Sequence, residues 1–320
     1  MAERHPSLRS PLYTRLFGVL LSRSSYPADF NGWDTAEIDE DEFERYRLYS
    51  APDIFVSCAY ILREQTITGL RGAIEQSGSH WIQVEACLFS LGCLAPVFTN
   101  HEVRGVQASP EVTAALAQLL SSPSLLGGSL NRHPLVVMAM GKVVQSYSAW
   151  IATSAPHVLN PSMLFCLETL TSTLATQHTE VALSTAKAFG QLCIRCQSLL
   201  GNGPTLQEIV NRLIPVALVE LDITARILLV EALGRLSVLL PPNEMQALVQ
   251  LVNAPNTSRI QHLAQELGSV EVTSSSKDAY AERIARELKL FASTVRYLEI
   301  TPEQLGGQTH PVVLLLSQAP

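Results

Sequence analysis

Two cysteines, Cys193 and Cys196, have two residues between them, a spacing found in dithiol redox centres and in zinc sites. Zinc needs four ligands, and neither a second CxxC pair nor a His-containing partner motif accompanies this one. The six cysteines all lie among Ala, Leu, Phe and Ile, where unpaired buried thiols occur. They are Cys58, Cys87, Cys93, Cys166, Cys193 and Cys196. We therefore interpret the pair as structural and predict no metal, no cofactor and a location inside the cell.

Carboxylates are concentrated in the segment 34–44, where seven of eleven residues are Asp or Glu. One interpretation is a solvated linker that enters a helix, because carboxylates are favoured near a helix N-terminus. The alternative is a docking strip for a basic partner, attracted by the local negative potential. The residues that would contact such a partner are Asp39, Glu40, Asp41 and Glu42.

Basic residues are concentrated in the segment 277–296, which contains five Lys or Arg side chains. They alternate with Asp278, Glu282 and Glu287, which is the ordinary pattern of a solvated helix. Partner contacts, including phosphate recognition, are the alternative interpretation. The candidates for that role are Arg283, Arg286 and Lys289.

Composition and motifs exclude several classes of function. The sequence has no glycine-rich phosphate loop, no HExxH and no GxSxG, and its eight histidines are scattered singly, so we predict that the protein is not an enzyme. A net charge of −7 without a Lys/Arg block argues against nucleic-acid binding. The longest charge-free stretches, 112–131 and 143–167, are interrupted by Pro and polar residues, so membrane spanning is not expected.

Apolar residues recur at helical spacing almost throughout the chain, and no run alternates as a strand would. The predicted helices are Pro11–Ser22, Glu42–Tyr49, Pro52–Gln76, His80–Phe98, Pro110–Leu120, Pro134–Thr153, Pro161–Thr176, Thr179–Leu200, Pro204–Val219, Asp222–Leu239, Pro242–Val252, Ser258–Gly268 and Lys277–Ile300. In 222–239 we expect Asp222 to cap the helix, and Arg226, Glu231 and Arg235 to lie on its polar remainder.

Helix pairs repeat at an almost constant interval. The helices that begin at Pro134, Thr179 and Asp222 start 45 and 43 residues apart, and a second helix follows each of them. That period predicts an all-α, right-handed α-solenoid of stacked HEAT-like pairs, with about seven repeats. The predicted organisation is an N-terminal helix and loop over 1–30, an acidic linker over 31–44, the solenoid over 45–300 and a tail or incomplete repeat over 301–320.

Four motifs, in order along 43–251, resemble the central HEAT repeats of the importin-β superfamily, in its transportin-SR, Mtr10 and importin-13 branch. Phe43, Arg47 and Asp53 match an entry of the form F-x-D-F-R…D, although Tyr46 replaces its second Phe. Trp81 and Glu85 match a W-x-x-x-E-A-x-L-F helix. Further motifs are the helix that contains Gly141 and Trp150, and the segment 182–196, which includes the cysteine pair.

The resemblance implies a nuclear transport receptor, or part of one, that binds protein cargo and releases it on binding Ran-GTP. It further implies contacts with nucleoporins and shuttling between the cytoplasm and the nucleus. We expect the motif residues to be structural: Trp81 and Trp150 fill gaps between helix pairs, and Arg47 and Asp53 form a polar contact between repeats. The alternatives are a HEAT-repeat regulatory scaffold outside transport, and a redox enzyme that uses Cys193 and Cys196.

Overall fold

The regular structure is helical throughout the part of the chain that the computed structural model describes. It describes residues 6–28, 30, 40–78, 80–99, 109–122, 125, 133–269, 274–298 and 313. Within those ranges no residue lies in a β-strand. The prediction of an all-α protein is confirmed.

Residues 1–165 form the first of two compact units. Its helices are α1 (Pro6–Arg23), α2 (Glu40–Arg45), α3 (Ala51–Leu62), α4 (Glu64–Ser77), α5 (Trp81–Thr99), α6 (Pro110–Leu120) and α7 (Pro134–Ser154), with a π-helical turn at Tyr46–Ser50 between α2 and α3. Helix α5 packs against α3, α4 and α7. Its Leu88, Leu91 and Leu94 side chains are completely buried, so α5 is the centre of this unit's core.

Residues 166–320 form the second compact unit, and helix α8 (Leu159–Leu170) crosses the division between the two. Its further helices are α9 (Thr173–Gln177), α10 (Thr179–Arg195), α11 (Gln197–Leu200), α12 (Gly203–Leu213), α13 (Ala217–Glu220), α14 (Ile223–Ser237), α15 (Pro242–Ser269) and α16 (Ser274–Val295). Helix α14 packs against both α10 and α16. A helix with two such neighbours is buried on several sides, which explains the wide apolar surface of its sequence.

Polar side chains begin several of these helices at the expected positions. The Asp222 Oδ1 atom accepts a hydrogen bond from the Thr224 backbone N–H at 2.8 Å, which confirms the predicted cap of α14. The side chains of Ser109 and Asn202 cap α6 and α12 in the same way. The Nδ1 atom of His133 accepts from the Leu135 N–H at 3.4 Å at the start of α7.

Several predicted helix boundaries are wrong, and the helices predicted over 161–176, 179–200 and 204–219 are each divided into two. The helix predicted over 52–76 is interrupted at Arg63, whose φ of 52° ends α3 and begins α4. Arg63 is neither Gly nor Asn, the residues that usually adopt this conformation, so nothing in the sequence marks the break. Conversely, the helices predicted over 242–252 and 258–268 form the single helix α15, which continues through Pro255.

By length and hydropathy alone, the helices α5 and α7 could each cross a membrane. Of the residues in their most apolar windows, 56% and 67% respectively are buried inside the protein. Such burial is typical of core helices, whose apolar residues face neighbouring helices rather than lipid.

Parts of the predicted organisation stay predictions. Residues 40–44 of the predicted linker belong to α2, whereas Asp39 lies outside the described residues. The predicted tail over 301–320 also lies outside them, apart from residue 313.

Candidate functional site

A buried ion pair joins the π-helical turn to α5 in the first unit. The Arg47 Nη2 atom donates to Glu85 Oε1 at 2.6 Å, and the two residues are 9% and 4% exposed. Asp53, the partner expected for Arg47, is exposed at the start of α3. The expected polar contact therefore joins Arg47 to a different motif residue, because the π-helical turn directs its side chain towards α5.

Aromatic rings surround the Arg47 guanidinium. Its central carbon lies 4.0 Å from the centroid of the Phe89 ring, 4.9 Å from that of Tyr26 and 5.4 Å from that of Phe43. Cation–π attraction at these distances adds to the ion pair, and more so because the site is desolvated. Burial, together with the Glu85 carboxylate, raises the pKa of Tyr26 to about 12.

Trp81 lies beside this centre in a stack of rings. Its indole stacks on the imidazole of His133, with centroids 3.7 Å apart and an angle of 7° between the planes. The centroid of the Trp81 ring also lies 5.8 Å from that of Tyr26 and 6.1 Å from that of Phe30. Trp81 thus fills the space between α5 and the start of α7.

The motif residue Trp150 lies apart from this centre. It is almost completely buried and makes an edge-on contact with Tyr147, with the ring centroids 6.2 Å apart. The structure therefore brings together Phe43, Arg47, Trp81 and Glu85, and separates Asp53 and Trp150 from them.

A groove of about 700 Å³ opens above the ion pair, and we call it the Glu85 groove. The π-helical turn, α5 and α7 form its walls, which are mainly apolar. Its lining residues are Tyr26, Phe43, Glu44, Arg47, Leu48, Pro52, Glu85, Leu88, Phe89, Gly92, Cys93, Pro96, Leu135, Met138, Ala139, Lys142, Gln145 and Ser146. Such a combination of apolar walls with few polar groups is typical of binding sites.

The Glu85 carboxylate is only half satisfied. Its Oε2 atom is buried and has no hydrogen-bond partner among the described residues. Burial raises the pKa of Glu85, whereas the positive charges of Arg47 and Lys142 act in the opposite direction. An unpaired buried acceptor costs free energy, and a donor supplied from outside would remove that cost.

A second charged site lies between α14, α15 and α16, around a cavity of about 640 Å³. Arg226 donates to Glu287 Oε2 at 3.0 Å and to Asn256 Oδ1 at 3.1 Å, and Arg259 donates to Glu287 Oε1 at 3.4 Å. Arg226 is 5% exposed and Glu287 is also buried. The predictions of a polar outer face for Arg226 and a solvated position for Glu287 were both wrong, because these two side chains pair across the helices.

The predicted partner-binding residues of α16 lie at the rim of this cavity or outside it. Arg286 pairs with Glu282 at 2.5 Å, and Arg283 lies 4.0 Å from Glu266. Lys289 is exposed, as is Glu42 of the predicted acidic strip. The positive charges of Arg283 and Arg286 are thus each compensated by a nearby carboxylate. The side chains of Glu40 and Asp41 lie outside what the structure describes.

The cysteine pair is buried in the second unit. Cys193 and Cys196 form no disulfide and have no exposed surface, and burial raises the pKa of Cys196 to about 11 and that of Cys193 well above 9.0. Among the described residues no group of three His, Cys, Asp or Glu side chains could hold a metal ion. Thiols of this kind are mostly protonated at neutral pH, which does not suit redox chemistry.

The motifs included Phe89, but they identified neither Tyr26 and Phe30 as parts of the first site nor Arg226 and Glu287 as a buried pair. The aromatic residues near position 30 offered one signal, since they interrupt a polar segment just ahead of the Phe43 motif. The Arg226–Glu287 pair gave no such signal, because its members lie 61 positions apart in the sequence.

The fold is similar to that of a solved HEAT-repeat solenoid. A solved structure of importin-13, described as its cytosolic state, superposes with a TM-score of 0.72 and 19% sequence identity over 98% of this chain. The resemblance inferred from the motifs is therefore confirmed for the fold. The match covers 33% of the importin-13 chain, so this chain spans about a third of its length. No model of a known protein family matches the sequence, and no curated protein matches it.

Proposed function

We propose that this chain acts as a protein-binding segment of an importin-type nuclear transport receptor. The observation that supports this proposal is the superposition of 98% of the chain on importin-13. In this proposal the HEAT-repeat surface holds a protein cargo through many shallow contacts, and binding of Ran-GTP releases it. Contacts with nucleoporins would let the protein shuttle between the cytoplasm and the nucleus.

Two charged groups of residues are the proposed contact surfaces. One is the acidic strip of Asp39, Glu40, Asp41 and Glu42, and the other is the basic group of Arg283, Arg286 and Lys289. Charges of opposite sign favour partners of complementary charge and increase the rate of their association. The two surfaces would therefore contact different partners, or different parts of one partner.

The test measures binding of the purified chain to Ran. Immobilised Ran locked in its GTP form and Ran loaded with GDP are compared by biolayer interferometry. We expect binding to the GTP form and none, or at least about tenfold weaker binding, to the GDP form, because a switch protein regulates through differential affinity. Equal binding to both forms, or to neither, would contradict Ran-regulated release by this chain and favour a HEAT-repeat scaffold outside transport.

Charge-reversal variants assign the contact surfaces. Arg283→Glu, Arg286→Glu and Lys289→Glu are combined in one variant, and Asp39, Glu40, Asp41 and Glu42 are changed to Lys in another. The matched control reverses the exposed Arg15 and Arg23 of α1. If one variant loses Ran-GTP or cargo binding and the control does not, the reversed residues belong to the contact surface. Identical affinities in all three proteins would exclude both groups as contact surfaces.

A further inference from the structure

The geometry points to the Glu85 groove as a receptor for one tryptophan side chain of a partner protein. We infer this from the groove's walls, its unpaired acceptor and its charges. The inference rests on the proposed function only in that the occupant belongs to a protein, and its test does not involve Ran.

The walls favour an aromatic occupant. Leu48 on the π-helical turn is 65% exposed although it lines the groove, and the half-buried Phe89 and Met138 line it as well. Covering apolar surface of this kind is favourable, in proportion to the area removed from water. The volume of about 700 Å³ accommodates the largest side chain together with the backbone that carries it.

The unpaired acceptor favours an occupant that carries a hydrogen-bond donor. Glu85 is 4% exposed and lines the inner wall of the groove, and within the described part of the chain its Oε2 atom has no partner. The other oxygen already accepts from Arg47. A donor that reaches Oε2 would complete the hydrogen bonding of a carboxylate whose desolvation the fold has already imposed.

The charges favour a neutral donor over a cation. Arg47 and Lys142 lie in the same groove, so an arginine or lysine side chain would meet two positive charges there. The tryptophan indole is neutral, donates through Nε1–H and has no acceptor, which matches a carboxylate. Phenylalanine has the same apolar character without the donor, so it serves as the discriminating comparison.

The first test uses small probes on the intact chain. N-acetyltryptophanamide, its 1-methylindole analogue and N-acetylphenylalaninamide are titrated while amide chemical shifts are recorded. We expect saturable binding of the tryptophan probe, with shifts concentrated in α5, α7 and the π-helical turn. The other two probes are expected to bind about tenfold more weakly, the ratio that one hydrogen bond to a charged group supplies.

The second test fills the groove. Gly92 lies in the groove wall, and a Cβ atom placed there meets nothing within 4 Å, so Gly92→Leu adds a side chain at the groove whose first atom has room. Gly69→Leu is the matched control, since Gly69 lies in α4 with the same open surroundings and does not line the groove. We expect Gly92→Leu to lower the affinity for the tryptophan probe at least about tenfold, because the leucine occupies the probe's volume. Gly69→Leu should leave that affinity unchanged.

Equal affinity for the three probes would overturn the role of Glu85, and unchanged binding in a folded Gly92→Leu variant would overturn the site. Circular dichroism establishes whether the variant is folded; if it is not, the probe comparison on the unmodified chain decides. A chain that fails to bind Ran-GTP but passes these tests contradicts the proposed function alone. A chain that binds Ran-GTP but fails them contradicts this inference alone.

Discussion

The Cys193 and Cys196 thiols are the residues whose spacing first indicated chemistry, and their burial leads to a prediction about reactivity. The pKa of Cys196 is about 11 instead of 9.0, so its thiolate fraction at pH 8 falls about 100-fold. We expect negligible reaction of either thiol with DTNB in the native protein at pH 8. Any reaction that does occur should accelerate tenfold with each pH unit up to about pH 11.

The control for this prediction is the same protein unfolded in guanidinium chloride. All six cysteines should then react with DTNB at the rate of an exposed thiol. Cys93, which is only partly buried, should give the fastest native phase, and Cys93→Ser should remove that phase. Rapid native reaction of Cys193 or Cys196 that is half-maximal below pH 8 would instead support the redox interpretation.

Arg47 and Glu85 provide a second prediction at the scale of residues. Arg47→Met leaves a buried carboxylate without its partner and should lower the free energy of unfolding by about 3–5 kcal/mol. The double variant Arg47→Met, Glu85→Leu removes both charges and should be more stable than Arg47→Met. Urea unfolding followed by circular dichroism measures both changes.

Arg286→Met is the matched control, because it breaks an exposed pair that joins one helical turn to the next. Such a pair contributes about 0.5 kcal/mol or less, so this variant should unfold almost as the parent does. If Arg47→Met unfolded no more easily than Arg286→Met, the Arg47–Glu85 pair would not stabilise the first unit.

Individual residue roles were only partly predictable. Trp81, Arg47 and Glu85 stood out because they matched motifs, yet the partner of Arg47 was wrongly expected to be Asp53. Sequence spacing places Arg47 and Asp53 about two helical turns apart, and the π-helical turn changes the direction of Asp53 relative to Arg47. One extra residue in a helical turn rotates every later side chain, and no residue type in 46–50 marks that insertion.

At the scale of elements, the contact between α14 and α16 depends on Gly234. A Cβ atom at this position would overlap the backbone carbonyl oxygen of Thr294, and a backbone cannot move aside as a flexible side chain can. Gly234→Ala should therefore destabilise the protein by about 1–3 kcal/mol, although alanine is the better helix former. Thermal unfolding measures the change.

Gly190→Ala separates helix propensity from steric contact. Gly190 lies inside α10, and its Cβ would meet nothing within 4 Å. This variant should be more stable by about 0.5–1 kcal/mol, because alanine loses less backbone entropy in a helix. Stabilisation by both substitutions would contradict the close approach of α14 and α16 at Gly234.

Helix type and most helix starts followed from the sequence, since they depend on local interactions. Pro110, Pro134 and Asp222 mark starts that the structure confirms within one residue, because proline and capping side chains act on the adjacent turn. The break at Arg63 and the continuation through Pro255 did not follow. Both run against the local preference, so packing between helices decided them.

At the scale of the whole molecule, each compact unit has its own core, and repeat arrays depend mainly on contacts between neighbours. Arg226→Met should lower the free energy of unfolding by about 3 kcal/mol, because it leaves Arg259 as the single partner of the buried Glu287 carboxylate in this site. We expect hydrogen exchange, measured by mass spectrometry, to accelerate in α14, α15 and α16, and to change little in α3, α5 and α7.

Arg212→Met serves as the control within the same unit, because Arg212 is exposed on α12. It should leave exchange unchanged throughout. An equal acceleration in both units on Arg226→Met would mean that the chain unfolds as one cooperative body, and would contradict stability governed by neighbouring repeats.

The sequence by itself determined the all-α class, the period of the helix pairs and the resemblance to central importin-β repeats. The class and the period follow from apolar spacing and helix signals that act over a few residues. The resemblance follows from the residue types of the four motifs. Only the tertiary structure decided that Arg47 meets Glu85 among Tyr26, Phe43 and Phe89, and that Arg226 meets Glu287. Such pairs join residues 38 and 61 positions apart, and their geometry depends on how one helix is rotated against another.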